Sequence, residues 1–147
     1  MGIFSAINTS ATGLSAERLR MDVISNNIAN VNTTRTENGG PFRRQMVIFQ
    51  SREGNKKNPF TDVSDLQTVG QGVRVKSIMD DMSPFKLEYD PNHPDADADG
   101  YVRRPNITVV HEMVDMITCT RAYEANVQCI SSAKDMISSA LGIGRSA

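Results

Sequence analysis

The chain contains 147 residues, of which 39% are hydrophobic and only 5% aromatic, and its 16 basic residues nearly balance its 17 acidic ones. This balance gives no indication of a nucleic-acid surface, because phosphate binding requires clustered positive charge. No apolar run approaches the roughly 20 residues that span a bilayer. Residues 1–6 also lack the charged and apolar regions of a cleaved signal peptide.

The first predicted element is a long helix from residue 3 to about residue 32. Apolar residues recur there every seven positions and form a stripe along one face. The stripe consists of Ile7, Leu14, Met21 and Ile28, widened by Ala11, Ile24 and Val31. We expect the helix to end near residues 30–34, where short polar side chains compete for backbone hydrogen bonds.

The middle of the chain, residues 33–105, predicts strands and loops. Residues 38–41, Asn-Gly-Gly-Pro, are typical of a turn. Residues 42–49 and 72–78 carry the β-branched or alternating pattern of strands, and the polar residues 51–71 between them predict a loop. An isolated hairpin is only marginally stable in water, so we expect these strands to pack against the helices or against a partner.

Residues 90–100 contain alternating aspartates and two prolines, which forbid a helix here. Asp95, Asp97, Asp99 and Gly100 match the first half of a calcium loop. The match fails at the twelfth position, where Asn106 stands in place of a bidentate glutamate. We therefore expect these aspartates, the weak metal candidates of the chain, to hold a turn through Asx-type bonds. No cofactor is expected.

A second long helix is predicted from Asn106 to Leu141, with Asn106 or Thr108 as its cap, because this stretch lacks proline and glycine. Two heptad positions repeat over four heptads, which predicts a helix of roughly 50 Å with a narrow apolar seam. The first position holds Val109, Met116, Tyr123, Ile130 and Ile137, and the second holds Met113, Thr120, Val127, Lys134 and Leu141. We expect the seam to meet another long helix, of this chain or of a neighbour.

The remaining reactive side chains do not form a recognisable catalytic or metal site. Cys119 and Cys129 are roughly 15 Å apart along one helix, beyond disulfide reach. We interpret them as small helix residues, with an intermolecular bridge as the alternative. His93 and His111 have no ligand or nucleophile at motif spacing. The sequence therefore predicts that the protein is not an enzyme.

Both ends of the chain carry a family resemblance. Residues 14–21, LSAERLRM, and residues 25–34, SNNIANVNTT, resemble the N-terminal signature of flagellar rod, hook and hook-associated proteins. The motifs at residues 90–96, 100–102, 105–107, 112–116, 121–127 and 133–136 narrow the resemblance to the proximal rod subunits of that family. Cys119, Cys129 and the basic pair Arg103-Arg104 depart from the family pattern. The resemblance extends over the whole length, although residues 50–71 match nothing specific.

The resemblance implies a structural subunit of the bacterial flagellar basal-body proximal rod. Such subunits leave the cell unfolded through the flagellar type III export apparatus, without a cleaved signal. They assemble in the periplasm into a helical tube that transmits motor torque. The implied partners are other proximal and distal rod proteins, the basal-body ring, the export apparatus and further copies of the chain, with no nucleic acid and no small-molecule substrate.

The predicted fold is mainly α and forms one structural unit: an N-terminal helix (1–34), a β/loop insertion (35–105) and a C-terminal helix (106–147). The two helices are expected to pack as a coiled-coil-like pair. The expected assembly interface comprises Ile7, Leu14, Met21, Ile28, Asn26, Asn27, Asn30, Asn32, Val109, Met113, Met116, Tyr123, Val127, Ile130, Ile137 and Leu141. The alternatives are a cytoplasmic helical adaptor or chaperone for flagellar export substrates and a calcium-regulated binding module.

Overall fold

The structure is a computed structural model that describes residues 3–37, 39–52 and 71–145. Its elements are α1 (Ile3–Ala29), β1 (Gln45–Ser51), β2 (Val73–Asp80), β3 (Lys86–Tyr89), β4 (Tyr101–Arg104) and α2 (Val109–Arg145). The expectation of two terminal helices around a small antiparallel β insertion is confirmed. In the described parts of the chain, neither helix is both long and apolar enough to cross a membrane.

The chain groups into two compact units. Unit 1 consists of Met1–Leu19, Phe49–Lys76 and Cys119–Ala147, and unit 2 consists of Arg20–Ile48 and Ser77–Thr118. α1, α2, β1 and β2 each contribute one segment to unit 1 and one to unit 2. Each unit therefore combines segments that are far apart in the sequence.

In unit 1, small residues lie between the α1 and α2 segments. Ala16, Cys119 and Ala133 are each at most 4% exposed, and the size of the side chains at a contact sets how closely two helices approach. Gly13 lies opposite Asn126, and a Cβ atom on Gly13 would lie 3.0 Å from the Oδ1 atom of that amide. The close approach accounts for a glycine that costs about 1 kcal/mol relative to alanine in a helix interior.

The predicted strands in the middle of the chain are present as β1 and β2, which form a two-stranded sheet. The backbone N–H of Arg52 donates to the Gly72 carbonyl at one end, and that of Asp81 donates to the Arg44 carbonyl at the other. This pairing is antiparallel. The predicted loop, residues 51–71, lies mostly outside the described residues.

The start of β2 is anchored on α1. The backbone N–H of Val73 donates to Thr12 Oγ1 at 3.2 Å. Gly72, just before it, has a φ of 95°, and a Cβ atom at this position would collide with the same hydroxyl. Glycine is therefore required here for both its conformation and its lack of a side chain.

Strands β3 and β4 form a second antiparallel pair that was not predicted from the sequence. The register runs from Lys86 opposite Arg104 to Tyr89 opposite Tyr101, and the two tyrosine rings pack edge to face at 5.3 Å. All four residues of β3 are exposed. β3 does alternate polar and apolar residues, but β3 and β4 have only four residues each, the shortest run over which alternation indicates a strand.

Unit 2 contains the larger apolar core, formed by Val23 and Ile24 from α1, Val102 from β4, and Ile107. These four side chains are at most 7% exposed, and burying each contributes roughly 1.5–3 kcal/mol. Only Val102 is buried in β4, whose neighbouring residues face outward. The core therefore fixes the start of α2 against the second half of α1.

The end of α1 and the start of α2 each differ by a few residues from the sequence prediction. α1 ends at Ala29. The carbonyl of Asn26 in its last turn accepts hydrogen bonds from both the backbone N–H of Asn30 at 3.1 Å and the Asn30 Nδ2 at 3.0 Å. α2 begins at Val109, and the Thr108 carbonyl accepts the first helical hydrogen bond, from Glu112 N–H. Thr108, one of the two residues predicted as the cap, therefore occupies the N-cap position.

Candidate assembly surface

A buried polar cluster joins three segments of unit 2. Its members are Asn27 near the end of α1, Arg44 and Gln45 at the start of β1, and Glu112 in the first turn of α2; we call it the polar node. Asn27 is 1% exposed and Glu112 is fully buried. Buried polar groups must find partners within the protein, so the node fixes how these three segments meet.

Asn27 is the centre of the polar node. Its Oδ1 accepts from the backbone N–H of Gln45 at 3.0 Å, and its Nδ2 donates to the Gln45 carbonyl at 2.9 Å. The amide therefore pairs with the backbone of the strand as a neighbouring strand would. The same Nδ2 also donates to Glu112 Oε2 at 3.0 Å, which connects α1, β1 and α2 through one side chain.

Arg44 neutralises the buried carboxylate of the polar node. Its Nε donates to Glu112 Oε1 at 2.6 Å, and its Nη2 donates to Asp115 Oδ2, one turn further along α2, at 3.2 Å. Its Nη1 lies 3.8 Å from Asp81 Oδ2. One guanidinium therefore faces three carboxylates, in a cleft of about 390 Å³ that is also lined by Thr108, His111 and Val114.

The loop after β2 is tied to the same region by Asn106. This side chain accepts from the backbone N–H of Arg44 at 2.9 Å and donates to Ser83 Oγ at 2.8 Å. Hydrogen bonds from the backbone and hydroxyl of Ser83, with help from Arg44 and Arg43, hold the pKa of Asp81 below its usual value. The Asp81 carboxylate is therefore ionised at neutral pH.

The aspartates of residues 90–100 bind nearby side chains and do not converge on one point. Asp95 accepts from Thr34 Oγ1 at 2.8 Å and from Arg35 Nη2 at 2.5 Å, and the Thr34 hydrogen bond is the main reason that the pKa of Asp95 is lowered. Asp97 lies 3.6 Å from Arg103, and Asp99 is exposed. Within the described residues, no three His, Cys, Asp or Glu side chains form a metal cluster.

The predicted seam of α2 is divided between two faces of the helix. The first heptad position is partly covered: Met116, Tyr123, Ile130 and Ile137 are all half-buried, while Val109 is 39% exposed. The covered face is completed by Glu112, Cys119, Asn126 and Ala133, a heptad position that the prediction did not include. The second predicted position is largely open, with Met113, Val127, Lys134 and Leu141 exposed.

On α1, the predicted stripe is half-buried throughout, at Ile7, Leu14, Met21 and Ile28. Of the most deeply buried residues of α1, Ile24 belongs to the widened stripe, whereas Ala16, Val23 and Asn27 lie outside it. Of the four asparagines proposed for the interface, Asn26 and Asn32 are exposed and Asn30 is half-buried. Asn27 is inside unit 2, where it binds its own chain.

The two cysteines are in different environments. Cys119 is fully buried, and its Sγ donates to the backbone carbonyl and the carboxylate of Glu17, at 3.1 and 2.9 Å. Cys129 is exposed and free. An intermolecular bridge is therefore available to Cys129 in the folded chain and closed to Cys119.

Two family descriptions match the chain at its ends: "Flagella basal body rod protein" over residues 7–35 and "Flagellar basal body rod FlgEFG protein C-terminal" over residues 98–143. A flagellar basal-body rod protein FlgC from Borreliella burgdorferi is 57% identical, covering 97% of this chain and 98% of that protein. The FlgC protein of Bacillus subtilis is 45% identical over 99% of this chain and 100% of its own length. The FlgC protein of Salmonella typhimurium is 33% identical, again over 99% of this chain and 100% of its own length.

The chain belongs to the FlgC family of flagellar basal-body rod proteins. The sequence-based resemblance is confirmed, and with it a structural role in the basal-body rod in place of catalysis. The segments that match the two family descriptions contain Asn27 and Glu112. Arg44 lies in the part of the chain between them.

Arg44 and Glu112 were missed as functional residues by sequence reasoning. Arg44 was not singled out as a site residue, and Glu112 was included only within residues 112–116 of the family resemblance. The one available signal was the seven-residue spacing from Glu112 to Cys119, Asn126 and Ala133. Charged and small residues at one heptad position do not form an apolar pattern, so the covered face was not apparent.

Proposed function

We propose that this chain is a subunit of the proximal rod, exported unfolded through the flagellar type III apparatus and assembled in the periplasm into a helical tube that transmits torque. Its proposed partners are other proximal and distal rod proteins, the basal-body ring, the export apparatus and further copies of itself. The family membership supports the rod assignment, and the uncovered apolar side chains of α2 support assembly through helix contacts.

The observation that carries this proposal is the amount of apolar surface left open on α2. The helix has 37 residues, about 55 Å at 1.5 Å per residue. Large apolar side chains are exposed along much of it: Val110, Met113, Val114, Ile117, Val127, Met136, Leu141 and Ile143. Contiguous exposed apolar surface marks an interaction site in a soluble protein.

We also propose that α1 and α2 form a coiled-coil-like pair, the arrangement expected from the sequence. Within unit 1, Glu17 meets Cys119 and Gly13 meets Asn126, so the two segments run antiparallel. Within unit 2, Arg20 lies 3.6 Å from Asp115, and Asn27 meets Glu112. The seven-residue spacing of Cys119, Asn126 and Ala133 on the covered face favours regular packing.

This pairing divides the proposed assembly residues into two groups. The half-buried ones, such as Tyr123 and Ile130, support α2 against its own chain, and the exposed ones, such as Met113 and Val127, are available to neighbours. The division of the chain into segments 1–34, 35–105 and 106–147 is retained in the proposal, with the middle segment acting as a brace through the polar node.

The proposed function is tested in a flagellated strain whose own copy of this gene is deleted. A wild-type copy is expected to restore the rod and to be present in purified basal bodies. Ile117→Asp, which places a charge on the exposed face of α2, is expected to leave secretion unchanged and to reduce incorporation. Ser132→Asp, at an exposed position of α2 outside the cleft that Arg44 lines, serves as the control for added charge.

The adaptor alternative predicts the opposite distribution. An adaptor or chaperone would stay in the cytoplasmic fraction with export substrates and would be absent from purified basal bodies. Wild-type protein confined to the cytoplasm would therefore overturn the rod proposal.

A further inference from the structure

Unit 1 contains a polar cavity between the first turns of α1 and the end of the β1–β2 sheet. Its volume is about 620 Å³, a size at which ligand sites are common. Ser5, Asn8 and Thr9 form its α1 wall, and Arg52 and Arg74 belong to the opposite wall. Every described residue that lines the cavity is polar, and none of them is acidic. The cavity is therefore positively charged.

The two arginines of this cavity keep most of their hydrogen-bonding capacity free. Arg74 Nη2 donates to the neutral Gln50 Oε1 at 3.1 Å. In the part of the chain that the structure describes, no ion pair joins Arg52 or Arg74 to a carboxylate. Each guanidinium carries five N–H donors, so a ligand can use several of them. In the cleft of unit 2, by contrast, the carboxylates already face Arg44.

The same two arginines also line a second cavity of unit 1. This cavity has a volume of about 330 Å³, and its remaining walls are small or aliphatic: Thr12, Ser15, Ala16, Val73 and Val75. Arg52 and Arg74 therefore lie where a polar cavity adjoins an apolar one. We call the two adjoining cavities the arginine groove.

The arginine groove has the length of a short peptide. Its α1 wall extends from Ser5 to Ala16, a rise of roughly 17 Å at 1.5 Å per residue. An extended chain advances about 3.3 Å per residue. About five residues of an extended peptide therefore span the groove.

The side chains of the groove select the chemistry of such a peptide. A guanidinium binds a carboxylate through two parallel hydrogen bonds. The apolar cavity beside Arg52 and Arg74 accommodates an aliphatic side chain, which a free phosphate ion does not have. In an extended chain, residues two positions apart point to the same side, so both groups enter the groove when an acidic residue precedes or follows an aliphatic one by two positions.

We propose that the arginine groove binds an extended segment of a neighbouring rod subunit, with a carboxylate on Arg52 and Arg74 and an aliphatic side chain beside Val73 and Val75. The inference rests on the proposed rod function for the identity of the neighbour. The recognition chemistry itself rests on the unpaired arginines and on the apolar cavity that adjoins them.

The first test measures peptide binding to the purified full chain. The probe is a fluorescent five-residue peptide, serine-glutamate-serine-valine-serine, and the readout is fluorescence anisotropy. Saturable binding is expected, and Arg52→Gln and Arg74→Gln are each expected to weaken it by about tenfold or more, because each removes charge-assisted hydrogen bonds. Lys76→Gln, an exposed position of the same strand outside the groove, is the matched control and is expected to bind like the wild type.

Two competitor experiments determine which chemistry is recognised. A peptide with glutamine in place of glutamate is expected to bind at least about tenfold more weakly. Equal binding of the glutamine peptide would overturn the proposal, as would the absence of saturable binding. Displacement of the glutamate peptide by an equimolar amount of inorganic phosphate would show a simple anion site and would also overturn it.

The second test measures incorporation of the chain into basal bodies. The double substitution Arg52→Glu and Arg74→Glu places like charges against the acidic segment and is expected to reduce incorporation by about tenfold or more. Lys76→Glu is expected to incorporate normally. The urea midpoint of the purified double variant is expected to equal that of the wild type, because neither arginine is buried.

The outcomes of this test separate the inference from the proposed function. If the double variant is present in basal bodies at the wild-type level, the inference fails while the rod function stands. If the wild-type chain itself is absent from basal bodies, the proposed function fails, and the choice of a rod subunit as the neighbour fails with it. If the double variant has a lower urea midpoint, Arg52→Gln and Arg74→Gln replace it, and peptide binding by these single variants decides for or against the groove.

Discussion

The Nδ2 atom of Asn27 donates a hydrogen bond of 3.0 Å to Oε2 of Glu112, and both side chains are at most 1% exposed. These residues belong to the two terminal helices, and Gln45 and Arg44 complete their hydrogen bonding from the β insertion. The polar node therefore connects the insertion to both helices through buried hydrogen bonds. These hydrogen bonds fix the position of α1 relative to the start of α2 within unit 2, which a helix surface that binds neighbouring subunits requires.

Asn27→Ala is expected to lower the free energy of unfolding by about 3 kcal/mol, since it leaves the Gln45 backbone and the buried Glu112 carboxylate without their partner. Urea unfolding of the purified chain measures the change. Asn26→Ala, at the exposed neighbouring position, is the control and is expected to change stability by no more than about 0.5 kcal/mol. Equal effects at the two positions would contradict a structural role for the polar node.

Arg44→Met is expected to destabilise unit 2 by about 3–5 kcal/mol, because removing one partner of a buried pair leaves an uncompensated charge. The neighbouring Arg43 provides a matched control. Its guanidinium lies 4.3 Å from the centroid of the Phe85 ring and donates to the backbone carbonyls of Asp81 and Ser83. Because it does not contact the buried Glu112 carboxylate, Arg43→Met is expected to cost about 1–2 kcal/mol, less than Arg44→Met. Hydrogen exchange at the backbone amides of Glu112 and Val102 measures the loss of stability within unit 2. A larger effect of Arg43→Met than of Arg44→Met would contradict the role of Arg44 in the polar node.

Gly13→Leu is expected to destabilise unit 1 by about 1–3 kcal/mol, because the added side chain has to enter the space held by the Asn126 amide. Gly142→Leu tests the same substitution in a helical position with no atom within 4 Å of a new Cβ. That variant is expected to gain up to about 1 kcal/mol from helix propensity. Thermal unfolding followed by circular dichroism distinguishes the two; a gain at Gly13 would show that the helices do not approach closely there.

The lowered pKa of Asp95 predicts acid sensitivity of the turn at residues 90–100. Its folded pKa lies below the usual value of an aspartate, so its stabilising contribution is fully present above about pH 4. The contribution is lost as the pH falls through about 3.9 toward the folded pKa. Hydrogen exchange of the turn, measured from about pH 5 to about pH 3, is expected to accelerate beyond its intrinsic pH dependence.

Asp95→Asn removes the titrating group and is expected to reduce this excess acceleration. Asp97→Asn is the control, because the Asp97 carboxylate is exposed and lies 3.6 Å from Arg103. An unchanged profile in Asp95→Asn would show that the Thr34 and Arg35 contacts do not stabilise the turn.

The two thiols are expected to react at very different rates in the folded chain. Cys129 is exposed, whereas Cys119 is buried and donates to Glu17, so its modification requires opening of the helix pair. A maleimide reagent followed by mass spectrometry is expected to modify Cys129 at least about a hundredfold faster. Cys129→Ser should abolish the fast phase, and its persistence would mean that Cys119 is accessible.

The extent of the two helices was predictable because their heptad patterns are local properties of the chain. Residues Ile7 to Ile28 and Val109 to Leu141 repeat their apolar positions every seven residues, and the helices begin and end within a few residues of the predicted bounds. The β1 and β2 strands were also evident from β-branched and alternating residues. In contrast, the alternation of β3 extends over only four residues, too few to distinguish a strand from a loop.

The assignment of helix faces was not predictable from the same pattern. Met116 and Ile130 are on the covered side and Met113 and Val127 on the open one, although all four fit an apolar heptad. Which apolar positions are covered depends on where Gly13 allows close approach and where the polar node fixes the helix ends. Those contacts join residues far apart in sequence and carry no periodic signal.

The family, the two terminal helices and the first two strands were predictable because signature residues and hydrophobic periodicity are local properties of the chain. The hydrogen bonds that join Asn27, Arg44 and Glu112, and the second apolar face that α2 leaves open, became apparent only in the folded chain. A buried charge is stable only with specific partners around it. Those partners come from three distant segments, and their convergence is a property of the folded chain.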